Sequence, residues 1–322
     1  MPNLMHLEIL LRGEYAWNSW REYHPDIYPD LQDAQLDDAD LRGFHLKGVN
    51  LSRSHLARAN MQGTDLGEAN LDGAVLSEAD CTGADMSKAY LVGAFLARTQ
   101  LQRVQLSEAN LDGADLSEAD CTGADMSKVN LTGAYLNGAT LDHVNFDAAN
   151  LSNSDCSGAS LRGASLRETN FQEANLDEAD VSEANFRAAT LIKASCIGLD
   201  LRTALLDDAN VSEADLSKAN LGGMNLDHLH GPKANLSRAN LVGASLVNTV
   251  LTEADLTDAN LSNADLTNAN LSGARLMRIR LTDSNVTNAN FTNANLYQAD
   301  LRGANYREAT LDKANLRKAM FD

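Results

Sequence analysis

Leu111-Asp112-Gly113-Ala114-Asp115-Leu116 carries the pattern that decides the fold. The two leucines stand five positions apart, a small residue precedes the second by two places, and an acidic residue lies between. The spacing runs from Leu31 to Phe321 as 59 consecutive slots, of which Leu fills 42 and Met, Cys, Phe, Val, Tyr306 and Gly231 the rest. The small slot, from Ala34 to Ala319, is Ala at 42 of 58 positions, and Asp or Asn occupies the position between at 37 of 59.

A period of five matches neither the 3.6 of a helix nor the 2.0 of a strand. On a helix the leucines would smear around the whole circumference; on a strand they would alternate between faces. The chain must therefore turn once per repeat and bring each Leu back to the inside. The Asp, Asn, Ser, Thr and Gly positions supply the turn chemistry. Leu and Ala point inward and the other three residues outward.

This register, unbroken over residues 29–322, resembles the pentapeptide-repeat family. The resemblance implies an all-β fold, a right-handed quadrilateral parallel β-helix solenoid with four pentapeptides per coil. An internal duplication agrees independently. Residues 66–96 recur as 106–136 with 25 of 31 identical, an offset of 40 that is a whole number of 20-residue coils and so preserves every side chain's face. Each coil of such a solenoid contacts its neighbours alone.

Residues 1–28 differ and read as an N-terminal helical cap ahead of the repeat body at 29–322. Leu4, Leu7, Leu10 and Leu11 suggest a short amphipathic helix over 4–12, broken at Gly13. A second short helix over Glu14–Tyr23 carries Trp17 and Trp20, three apart, on one side. Pro25 and Pro29 predict extended chain leading into the first repeat. The stretch Trp17-Asn18-Ser19-Trp20-Arg21, with Pro25, Pro29, Asp30 and Leu31 after it, looks like the leader of bacterial and notably cyanobacterial members. It is expected to cover the open ladder of the first coil, and Phe44 and Val49 in small slots suggest wider early coils that receive the tryptophans. A partner-binding role is the alternative reading of the two tryptophans. At the other end Met320 and Phe321 stop inside a repeat, an open edge that predicts self-association.

Composition limits the function classes. The formal net charge is −19, of which residues 29–178 contribute −14 and residues 179–322 only −3. A phosphate binder carries a basic footprint, so direct nucleic-acid binding and attachment to anionic membranes are not expected. No run of about 18 apolar residues is present, and no signal-peptide pattern is legible, which points to the cytoplasm. Cys81, Cys121, Cys156 and Cys196 all fill the inward Leu slot and read as reduced core residues. His228 and His230 flank Leu229 without an evident third metal ligand. Gly231-Pro232 follows them, with Gly in the large slot and Leu229 in the small one, and predicts a bulge or protruding corner.

The repeat offers no catalytic triad, no phosphate-cradling loop and no pocket, so the chain is expected to be neither an enzyme nor a cofactor carrier. Function should lie on the surface. Val75, Tyr90, Val92, Phe95 and Tyr135 are outward apolar residues that form a candidate protein-contact patch, with Ile192, Ile197 and Leu205 as a smaller second group. The leading expectation is a non-catalytic structural or protein-interaction scaffold with unidentified protein partners. The alternative is an acidic DNA mimic acting on DNA gyrase or another DNA-binding protein, an activity that the family resemblance implies for some members.

Overall fold

The computed structural model describes all residues from Met1 to Asp322, which fall into two compact units, Met1–Ser165 and Leu166–Asp322. Regular helix is confined to α1 (Leu4–Leu11), α2 (Glu14–Tyr23) and a 3-10 turn at Tyr306–Glu308. The repeats share one local geometry. The Leu carbonyl accepts from the N–H three residues on, as Ala34 donates to Leu31 at 3.0 Å and Ala114 to Leu111 at 3.0 Å. The third residue of each turn from Asp33 to Lys318 has positive φ, except Thr203 and Glu308. That conformation suits Gly and tolerates Asn, yet here it also holds Glu, Lys and Arg. The fold therefore imposes the turn on residues that do not favour it.

Coils then stack through single-residue parallel bridges between positions 20 apart, Asp30 with Asn50 and Asn50 with Asn70 in the first unit, Asp215 with Asn235 in the second. Twenty residues make a coil, so each coil holds four repeats. The hydrogen-bond code is regular: Leu51 N donates to Asn70 O at 2.6 Å, Arg53 N to Asp72 O at 2.8 Å, and Asn70 N returns to Val49 O at 2.9 Å. No continuous strand forms, because a turn bends the chain away before a second consecutive residue can pair.

The inward slots are sealed. Leu66, Ala69, Leu71 and Ala74 in the first unit and Leu251, Ala254, Leu256 and Ala259 in the second are fully buried. The Asp or Asn between them works twice. Its side-chain oxygen accepts from the N–H two residues later, as Asp65 does from Gly67 and Asp115 from Ser117, forming Asx turns. Where two asparagines face each other across coils, their amides also link, Asn130 to Asn110 at 2.9 Å and Asn240 to Asn220 at 2.9 Å. Polar residues in the small slot, such as Thr64 and Thr99, place their hydroxyls on the carbonyls of Leu41 and Leu76.

Three expectations need correction. The apolar line of α1 is not the one its leucines suggest: His6 and Leu10 are buried, while Leu4 and Leu11 are exposed. The helix is rotated by His6, whose Nδ1 accepts from the Asp30 N–H at 3.0 Å. Pro25 sits in a hydrogen-bonded turn closed by Ile27 N to His24 O, not in extended chain. Gly231-Pro232 produces no bulge. Gly231 N donates to Val250 O and Glu213 N to Pro232 O in the ordinary pattern, and Lys233 keeps the usual positive φ. The Leu side chain missing at 231 is replaced by neighbours, since a Cβ there would lie 2.9 Å from Val211 Cγ2 and 3.2 Å from Leu251 Cδ2. The true departures from the repeat are the turns at Thr203 and Glu308.

Candidate protein-contact surface

The 20-residue coil fixes which outward residues share a column. Val75 bridges Phe95, Phe95 bridges Asp115, and Asp115 bridges Tyr135, so these four occupy successive coils of one side. Tyr90 lies one repeat earlier, between Asn70 and Asn110, and Val92 is in the turn that joins Tyr90 to Phe95. All five predicted patch residues therefore fall on two adjoining sides of the first unit. Tyr90, Phe95 and Tyr135 are each more than half exposed, at 53%, 51% and 54%, Val92 is exposed, and Val75 is half-buried.

The third position of the turns beside the patch carries no side chains. Gly73, Gly93, Gly113 and Gly133 are the positive-φ residues of four successive coils. Phe95, Tyr135, Asp115, Ser117, Ala94 and the corner glycines Gly93 and Gly113 line one shallow depression. Of the nearby cations, Lys88 pairs with Glu108 at 3.9 Å and Arg98 with Glu118 at 3.0 Å. Asp72, Asp112 and Asp115 have no cationic partner; Asp72 accepts from Val92 N and Asp115 from Ser117 N.

Some ion pairs elsewhere follow the coil repeat, while Arg42–Asp40, Arg202–Asp200 and Arg302–Asp300 close within one turn. Arg53 meets Asp33, Arg58 meets Asp38 and Arg278 meets Asp258, each pair 20 residues apart. The Arg53 guanidinium, with the N-terminal ammonium, holds the Asp33 carboxyl down to about 2, and Arg42 does the same to Asp40.

The other predicted residues are dispersed. Trp17 is fully buried, with its Nε1 donating to His45 O at 2.9 Å, and Trp20 is half-buried between His6 and His24 at ring-centroid distances of 5.2 and 5.0 Å. Sequence reading missed the polar residues that accompany them. Asn18 bonds both Gly43 O and His45 N, and Arg21 bonds Lys47 O at 2.8 Å. The one available signal was their position beside Trp17 on α2. Phe321 packs edge-on against Tyr306 at 5.0 Å, and Met320 is exposed at 44%. In the second unit Leu205 is exposed, whereas Ile192 and Ile197 are half-buried. All four cysteines are free and buried; burial pushes the Cys156 and Cys196 thiols up to about 12 and those of Cys81 and Cys121 upward as well. No three His, Cys, Asp or Glu side chains converge as metal ligands, and no helix is long and apolar enough to cross a membrane.

Comparison with known proteins bears on the repeats. The family described as pentapeptide repeats matches overlapping segments over 34–167, 169–228 and 234–273, and a pentapeptide repeat region matches 254–322. No curated protein matches the chain. Among solved structures it is similar to HetL, a pentapeptide repeat protein involved in heterocyst differentiation regulation from the cyanobacterium Nostoc sp. strain PCC 7120. The identity is 27%, over 94% of this chain and 95% of that one, with a TM-score of 0.30. Rfr23 from the cyanobacterium Cyanothece 51142 is 28% identical over 52% of this chain and 91% of its own, with a TM-score of 0.28. QnrB1, a plasmid-mediated fluoroquinolone resistance protein, is 18% identical over 72% and 89%, with a TM-score of 0.29. Superpositions this loose decide neither arrangement nor role.

Proposed function

Since the chain belongs to the pentapeptide-repeat family, we propose that it is a non-catalytic scaffold that docks another protein on the exposed aromatic patch of its first unit. In this reading the coils wind right-handed into a four-sided parallel β-helix, the hand that the family resemblance implies. Residues 1–28 serve as its cap, and the four free thiols in the core suit the reducing cytoplasm.

One observation carries the docking assignment. Tyr90, Val92, Phe95 and Tyr135 are exposed together beside a column of four glycines, in a repeat whose inward slots bury most of its large apolar residues. Contiguous exposed apolar surface of this kind marks contact with a partner, and aromatic residues dominate binding energy at such contacts. The acidic surface gives less support to DNA mimicry, because arginines neutralise Asp33, Asp38, Asp142 and Asp258 across coils.

The test is affinity capture from the native host with the full chain as bait, wild type against the Phe95→Asp/Tyr135→Asp double variant. Both positions are exposed, so the variant should melt within a few degrees of wild type. Loss of a specific partner is expected; a variant that retains every wild-type partner overturns the assignment.

A further inference from the structure

The two copies of the internal duplication are a built-in control for the patch. Residues 66–96 and 106–136 differ at six positions, and four of these are Val75 against Asp115, Tyr90 against Asn130, Val92 against Thr132, and Phe95 against Tyr135. The core is almost unchanged between the copies, with Ala89 against Val129 the single inward difference. Divergence has fallen on the exposed faces, and it has set an aromatic ring, a carboxylate and a second aromatic ring on three consecutive coils of one column.

We propose that the Phe95–Asp115–Tyr135 depression receives a cationic side chain, arginine or lysine, from the partner protein. This deepens the docking assignment above and rests on it. Two coil spacings separate Phe95 from Tyr135, roughly 9.6 Å along the stack. A planar guanidinium or an ammonium fits between rings at that separation with each ring face within about 6 Å of the charge. Asp115 lies on the column between them, and its Oδ1 contact with Ser117 N leaves its charge without a cation. Asp112, next to the lining residue Gly113, likewise has no cationic partner, while Glu118 on the other side is balanced by Arg98. Gly93 and Gly113 present backbone alone at the corner; a Cβ at either would meet nothing within 4 Å, which leaves the path to the carboxylate open. An acidic or purely apolar partner would bury Asp115 uncompensated, at a cost in affinity.

The full chain, labelled with 13C at Phe and Tyr rings, is titrated with N-acetyl-arginine amide and with N-acetyl-norleucine amide while ring resonances are followed. Seven Phe and seven Tyr residues keep the spectrum assignable by substitution. The arginine probe should shift Phe95 and Tyr135 selectively and saturably, and the norleucine probe should not. Asp115→Asn keeps an Asx-turn acceptor and removes the charge; it should raise the apparent Kd about threefold, the scale of an exposed ion pair. Equal response to both probes, no selective shift with arginine, or no change in Asp115→Asn overturns the cation assignment. If arginine fails here while the Phe95→Asp/Tyr135→Asp bait still loses its partner, the docking surface stands and the cation assignment alone falls. If arginine binds as expected while that bait keeps every partner, the site stands and the docking role falls.

Discussion

Asn18 completes the backbone of His45: its Oδ1 accepts from the His45 N–H at 2.9 Å, while its Nδ2 donates to the carbonyl of Gly43 at 2.9 Å. One coil later the equivalent of His45 is Asp65, and beyond it Asp85 donates to Thr64 O at 3.0 Å in the ordinary ladder. A side-chain amide thus does for the first coil what a preceding coil does for the rest. Asn18→Ala should destabilise the first unit by about 1 kcal/mol, the worth of a partly exposed hydrogen-bonding group. Native-state hydrogen exchange checks it: the His45 amide should exchange faster while amides of residues 166–322 stay unchanged. An unaltered His45 rate would contradict the assignment.

The four buried thiols predict chemical silence. Thiolate is the reactive form, and burial holds Cys156 and Cys196 near 12. At pH 8 a disulfide reagent should label the native protein no faster than it unfolds, and all four thiols should react together in denaturant. Labelling of any one within seconds under native conditions would show an opening that this fold does not contain.

Acid should act through the arginine-paired aspartates. Asp33, hydrogen-bonded by Arg53, and Asp40, hydrogen-bonded by Arg42, both have folded values of about 2, against roughly 3.9 in an unfolded chain. A depressed carboxyl contributes stability that is present above the unfolded value and disappears as pH falls through the folded one. Urea midpoints of the full chain should therefore be level between about pH 7 and 5 and decline from about 4 towards 2. Arg42→Gln should make that decline shallower, and an unchanged acid limb in the variant would remove Asp40 from the explanation.

Gly231 predicts a substitution that looks corrective and is not. Gly231→Leu restores the repeat, yet the new side chain enters space held by Val211 and Leu251 while Leu229 already fills the small slot at 4% exposure. Overpacking should cost about 1–3 kcal/mol. The Gly231→Leu/Leu229→Ala variant should recover part of the loss in a thermal melt. A higher Tm for the single variant would refute this account.

What the sequence made legible follows from what repeats. The inward leucines and alanines, the Asx turns and the 20-residue coil are each encoded many times, and the duplication at 66–96 and 106–136 measures the coil directly. Singular contacts left no such trace. His6, Asn18 and Arg21 bond to backbone groups of Asp30, Gly43, His45 and Lys47, and backbone atoms have no side-chain signature to match. Gly231 misled because volume was judged within one repeat, whereas the packing partners of an inward residue lie 20 positions away on either side. The patch was visible because Tyr90, Phe95 and Tyr135 interrupt a position that is otherwise mostly Asp or Asn.

The turn at Thr203 has a consequence for remaking the molecule. There the turn bond from Ala204 N to Leu201 O persists at 2.9 Å without a left-handed residue, and the Thr203 hydroxyl, not the carbonyl of Arg202, accepts from Glu183 N at 3.0 Å. Leu205 nevertheless rejoins the ladder through Ala184 O at 3.0 Å. The second unit thus already accepts a deviant corner without losing its stacking, which makes the Arg202–Thr203 peptide the place to graft an inserted loop, a reporter tag or a new chain terminus.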